Sequence, residues 1–136
     1  MQSIFSTTLN LLQKNLSLRQ NRNAILTSNI ANAETPGFIA KDLRFEEALR
    51  QAANPDEPGM LKQTHPNHLP LRDPSLQAVE GRVVATASDD VGNDLNTVSI
   101  DQEMERLTMN TFHYNASTEI MNRMISLLKY TINEGR

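Results

Sequence analysis

The sequence predicts a mainly α fold, with two long antiparallel coiled-coil-like terminal helices and an irregular, partly β middle segment. Apolar residues recur four and three apart over residues 3–33 and again over 99–134. Neither stretch contains an internal Gly or Pro, whereas residues 34–98 hold every proline of the chain and every glycine but Gly135. The 136 residues make one domain, and 38% hydrophobic and 4% aromatic content is thin for a self-sufficient core. That shortage points to an elongated fold completed by assembly.

The first helix is predicted over residues 3–33, roughly 46 Å at 1.5 Å per residue. Its stripe is Phe5, Leu9, Leu12, Leu16, Leu26, Ile30 and Ala33, with Arg19 and Asn23 as polar interruptions. A second column, Ile4, Leu11, Leu18 and Ile25, runs beside it, while Ser6, Asn10, Gln13, Ser17, Gln20 and Thr27 form the opposite face. Two adjacent columns are too wide for one partner helix. They serve either this domain's own core or a neighbour.

The helix is predicted to stop at Thr35-Pro36-Gly37-Phe38. Pro36 has no N–H and disfavours helical geometry at Thr35. Gly37 takes positive φ without steric cost, so the pair suits the centre of a type II turn. Beyond it, Phe45 to Arg50 suggests a short helical turn and Asn54 to Gly59 a loop. Met60 to Thr64 and Leu76 to Ala85 read as short strands. Residues 65–74 are too proline-rich for regular structure, and 88–96 are polar and acidic.

The second long helix is predicted over 99–134, opened by a capping box at Ser99 and Gln102. Its stripe is Ile100, Met104, Leu107, Tyr114, Met121, Ile125, Leu128 and Ile132, with Thr111 and Thr118 between. Ile120, Met124 and Leu127 broaden it toward the C-terminus. Antiparallel pairing brings the polar middle Arg19–Asn23 to the depth of Asn110–Thr118, which can fix register. It also sets Leu9, Leu12 and Leu16 opposite Ile125, Leu128 and Ile132.

The formal net charge is −3. Residues 1–33 carry Lys14, Arg19 and Arg22 and no acid, while 34–98 carry 11 acids against 6 bases. This suits either ordinary solvated faces or a basic helix beside acidic neighbours. The bases are few and lack aromatic partners, which argues against nucleic acid. Cysteine is absent, removing thiol chemistry and disulfides. His65, His68 and Asp73 sit among prolines that forbid a ligating helix. Asp89, Asp90, Asn93, Asp94 and Asn96 miss EF-hand spacing. No catalytic motif, phosphate loop, secretory signal or membrane-length apolar run occurs. The expectation is a non-enzymatic protein without cofactor or metal.

Asn29, Ile30, Ala31, Asn32, Ala33, Thr35, Pro36, Gly37 and Phe38 match, in register, the N-terminal signature of the flagellar basal-body rod and hook family. Ser28 stands where that family often has Asn or Ala. The segments Ala40–Phe45, Thr64–Leu69 and Asn96–Met104 resemble its proximal rod member in particular. The family usually has Gly where Leu95 stands and an acid where Ser99 stands, so the entry to the second long helix departs from the pattern.

The resemblance implies a structural subunit of the bacterial flagellar basal-body proximal rod. Such a subunit is exported without a cleaved signal peptide through the flagellar type III export apparatus and polymerises in the periplasm. Its terminal helices enclose the export channel and transmit torque. Implied partners are further copies of itself, other rod proteins, the rod–MS-ring junction protein FliE and the MS ring, with no nucleic acid and no direct membrane insertion. Phe5 and Leu9 are similar to the hydrophobic export signal of such substrates. The competing reading is a cytoplasmic helical adaptor or chaperone-like binding protein, and a weaker one is a peptidoglycan-cleaving enzyme.

Overall fold

A computed structural model describes residues 4–54, 76–86 and 98–134. The order is α1 (Ile4–Ala31), β1 (Lys41–Arg44), α2 (Glu46–Ala53), a 3-10 turn (Leu76–Ala78), β2 (Arg82–Ala85) and α3 (Ile100–Glu134). The segments expected around Met60–Thr64, His65–Asp73 and Asp89–Asn96 lie outside the described residues.

Helix α1 runs about 42 Å and α3 about 52 Å, from 28 and 35 residues respectively. They pack antiparallel, and three polar rungs between them record the register. Asn29 Nδ2 donates to Glu103 Oε2 at 2.7 Å, Asn110 Nδ2 donates to the Arg19 carbonyl at 2.9 Å, and Asn15 Nδ2 donates to Ser117 Oγ at 3.0 Å. The middle rung joins the two polar belts expected to share a depth. The same register corrects one expectation. Leu9 falls level with the turn around Asn122 and Leu16 with that around Asn115, so Ile132 overhangs the start of α1 and has no rung opposite it.

The chain leaves α1 through the turn and returns as β1, which pairs antiparallel with β2: Lys41 faces Ala85 and Arg44 faces Arg82. Thr86 N–H adds a bond to the Ala40 carbonyl at 2.8 Å. The expected strand over Leu76–Ala85 is thus shorter, because Leu76–Ala78 coils before the chain extends. Gly81 is needed just before β2: a Cβ there would stand 2.6 Å from Leu43 Cγ.

The core lies beside α1 rather than between the long helices. Leu18, Leu43, Phe45 and Val79 are buried together, with Ile25, Ala48, Leu49 and Ala52 packed against them. Leu18 and Ile25 of the second column of α1 therefore serve this domain, packed with the residues of the sheet and α2. Phe45 closes this core and also initiates α2, where its carbonyl accepts the Leu49 N–H at 2.9 Å.

Candidate assembly surface

The turn that ends α1 is assembled from the signature residues themselves. Asn32 N–H bonds the Ser28 and Asn29 carbonyls, and Asn32 Nδ2 bonds the Ser28 carbonyl again at 2.8 Å. These bonds satisfy carbonyls that a helix end leaves open. Phe38 N–H then donates to the Thr35 carbonyl at 3.2 Å, and Gly37 has φ +72°. That is the geometry a type II turn requires. A Cβ on Gly37 would meet nothing within 4 Å, so any cost of substitution comes from the backbone alone. Gly37→Val is therefore expected to cost about 1–3 kcal/mol, read as a lower urea midpoint, with normal expression.

Asn29 has the most work among these residues. Its side chain is 1% exposed. Oδ1 accepts the Lys41 N–H at 3.1 Å while Nδ2 donates to the Lys41 carbonyl at 2.7 Å, so one amide pairs with β1 as a neighbouring strand would. The same Nδ2 reaches Glu103, whose carboxylate is buried and also pairs with Arg106. One residue thus ties the end of α1 to the start of both β1 and α3. Ile30 is half-buried, Ala31 exposed, and Phe38 half-buried beyond the turn.

Arg22 anchors the same region from inside α1. Its Nε and Nη2 bond both Asp42 oxygens at 2.8 Å, and its Nη1 bonds Glu46 at 2.8 Å. Arg19 lies one turn earlier, its guanidinium 5.5 Å from the Phe45 ring centroid and 3.5 Å from Asn110 Oδ1. Burial lowers its pKa from the ordinary arginine value; Glu46 opposes that shift and Arg22 adds to it. A cleft of about 550 Å³ opens here between the long helices, lined by Arg22, Glu46, Arg106 and His113 among others. Its arginines already face carboxylates on α2, β1 and α3, so it behaves as an ion-paired seam rather than a ligand pocket. Among the described residues no group of His, Cys, Asp or Glu is placed to hold a metal.

The long helices do not turn their apolar stripes squarely to one another. The α3 residues buried against α1 are Glu103, Asn110 and Ser117, seven apart and all polar. On α1, Leu26 is buried while Leu9, Leu12, Leu16 and Ile30 are half-buried. On α3, Leu107, Met121 and Leu128 are half-buried, whereas Ile100, Met104, Tyr114, Ile125 and Ile132 are exposed. The side chain of Phe5 is outside the described residues, although its backbone belongs to α1.

Periodicity alone had not separated out a further stripe on the flank of α3 that borders the cleft. Met109, Phe112, Ile120, Leu127 and Tyr130 follow helical spacing, and each is more than half exposed, Phe112 reaching 64%. Isolated apolar residues on a surface are ordinary, but a file of large ones along one helix face marks an interaction face, here with Ala116 and the ion-paired Arg123 between its members. Its signal was visible in the sequence as apolar residues left over once the first stripe had been drawn. No helix among the described residues is long and apolar enough to cross a membrane.

Comparison with known proteins finds relatives along nearly the whole chain. Residues 8–38 match the family model described as flagella basal body rod protein, a span covering most of α1 and the whole turn. The chain is 38% identical over 126 residues to the flagellar basal body rod protein FlgB of Aeromonas hydrophila, covering 92% of each chain. It is 30% identical to the FlgB of Proteus mirabilis strain HI4320, over 94% of this chain and 95% of that one. It is also 30% identical to the FlgB of Bacillus subtilis strain 168, over 98% of this chain and 99% of that one. These relationships run through both long helices and the segment between them, and the chain belongs to the FlgB family of flagellar basal body rod proteins, a structural and non-enzymatic family of the basal body.

Proposed function

We propose that the chain is a subunit of the proximal part of the rod, polymerising through α1 and α3 into a helical assembly that transmits torque and encloses the export channel. The observation that carries this reading is the exposed apolar file on α3 in a chain related to rod proteins along nearly its whole length. A file of that size in a protein with so small an internal core needs neighbours to cover it. The neighbours in this reading are further copies, the other rod proteins, FliE and the MS ring. The subunit reaches the periplasm through the flagellar type III export apparatus.

Phe112→Glu tests the interface. It places a charge on an exposed position, so the isolated fold is expected to keep its helicity and urea midpoint within about 0.5 kcal/mol. In a strain lacking the native gene, the variant is expected to be secreted normally, while its recovery in purified basal bodies falls at least about tenfold, a loss of 1.4 kcal/mol or more. Recovery at the wild-type level would show that this face is not used in assembly.

Phe5 and Leu9 carry the proposed export signal, four residues apart on α1. Phe5→Ala is expected to leave the protein in the cytoplasm, whereas Leu12→Ala, which removes a half-buried packing residue, is expected to be secreted and poorly incorporated. Equal secretion of both variants at the wild-type level removes the export role from Phe5.

A further inference from the structure

The exposed residues of the long helices fall into two separate apolar surfaces of different shape. On α3, Glu103 and Asn110 face α1, and the residues three positions later, Arg106 and His113, line the cleft on the α2 side. At 3.6 residues per turn, positions four later lie on the opposite flank. Those are Leu107 and Tyr114, joined by Ile100, Met104 and Ile125. On α1, Leu18 and Ile25 pack into the core on the α2 side. Leu9 and Leu16 sit two positions before Leu11 and Leu18, and Ile30 continues their seven-residue spacing on the flank turned from that core. Both helices therefore turn their half-covered stripes to one side, away from α2 and the sheet. The result is an open groove between two antiparallel helices, with an apolar wall on each side.

The second surface is the file Met109, Phe112, Ile120, Leu127 and Tyr130 on the flank of α3 that borders the cleft, where Met109 joins its lining. It spans about 32 Å of helix, and the groove from Ile100 to Ile125 spans about 38 Å. Groove and file are of similar length and both largely apolar, Arg123 being the charged member of the file's face, and they lie on different flanks of α3. They cannot meet within one chain.

We infer that the groove between α1 and α3 receives the exposed file of α3 from a second copy of this chain. The inference rests on the rod reading above and assigns that assembly its contact. The occupant is a second copy because the chain itself carries a largely apolar helix face of suitable length whose residues are each more than half exposed. An amphipathic helix in an apolar groove is a recurrent way of completing a helix pair. Because groove and file are different surfaces, the contact is head-to-tail. Each terminal copy keeps one open groove or one exposed file, and such contacts propagate as a ring or helix rather than stopping at a dimer.

The chain has no cysteine, which makes the contact directly testable. Leu16→Cys marks the groove and Phe112→Cys marks the file. Each single variant, and the double variant, replaces the native protein in cells, and intact basal bodies are treated with a short bismaleimide linker. The double variant is expected to give a ladder of adducts containing only this chain, and each single variant is expected to give none. Co-expression of the two single variants is expected to stop at dimers. Dimers from Phe112→Cys alone would indicate file-to-file pairing and overturn the inference. Adducts with another protein would overturn it too, as would no adducts from basal bodies that contain the double variant. If the unmodified chain is absent from basal bodies, the rod reading falls with it, and that outcome is distinguished simply by detecting the chain before linking.

Discussion

Phe45→Ala is expected to lower stability by about 3–5 kcal/mol, the usual range for emptying a large aromatic site in a core. The site offers little room for relaxation by substitution of neighbours, because the core is small. Phe45 is 2% exposed and shares its surroundings with Leu18, Leu43 and Val79, which come from α1, β1 and the segment before β2. Its ring also covers the Arg19 guanidinium at 5.5 Å. Removal therefore exposes a cation that was held between the long helices as well as opening a cavity. A domain of this size has only about 5–15 kcal/mol in total, so the loss is a large part of it. The measurement is the urea midpoint followed by far-UV circular dichroism. Phe112→Ala serves as the control, since that ring is exposed and its loss is expected to change the midpoint little. A Phe45→Ala cost below about 1 kcal/mol would place the core elsewhere.

The elements legible in the sequence were those set by neighbouring residues. The Pro36-Gly37 turn followed from the missing N–H of proline and the free φ of glycine, and it appears with its bond from Phe38 to Thr35. The two long helices followed from period and from the lack of breakers. The polar belts met as expected at Arg19 and Asn110. What stayed hidden was set by distant residues. The partner of β1 is β2, about forty positions on, and no short turn between apolar runs announces that pairing. Phe45 was legible as the start of a short helical turn and Leu43 as part of a segment that carries the family resemblance, but the burial of both depends on Val79 arriving from far along the chain.

The face that α3 turns to α1 was hidden for a different reason. Helical periodicity finds apolar stripes, and the buried row of α3 is Glu103, Asn110 and Ser117. Each of these polar residues is paired with a residue of α1, so burial is tolerated where composition argues against it. A helix pair joined by such rungs gains register more than stability. Its apolar stripes are then free to lie to one side, where a neighbour can use them.

The end rung is where this arrangement is most exposed to a single change. Asn29→Ala deletes three hydrogen bonds at once: two to the Lys41 backbone and one to Glu103. The Glu103 carboxylate is only 2% exposed, so it cannot recover the lost donor from bulk water and keeps Arg106 as its remaining partner. A buried polar group left without its bond costs about 1–3 kcal/mol, and more when the group is charged. With the strand end also released, a loss of about 3–5 kcal/mol is expected, close to that of the core aromatic. The effect should be local as well as global. Amide exchange is expected to accelerate first at Lys41 and Asp42 and in the first turns of α3, while the Leu18–Phe45 core keeps its protection. The rung itself can be isolated with Glu103→Leu in both backgrounds. That change removes the buried charge, so Asn29→Ala should cost less in its presence than alone, by about 0.5–3 kcal/mol. Additive losses would mean that Asn29 acts only on β1 and that Glu103 is held by Arg106 alone.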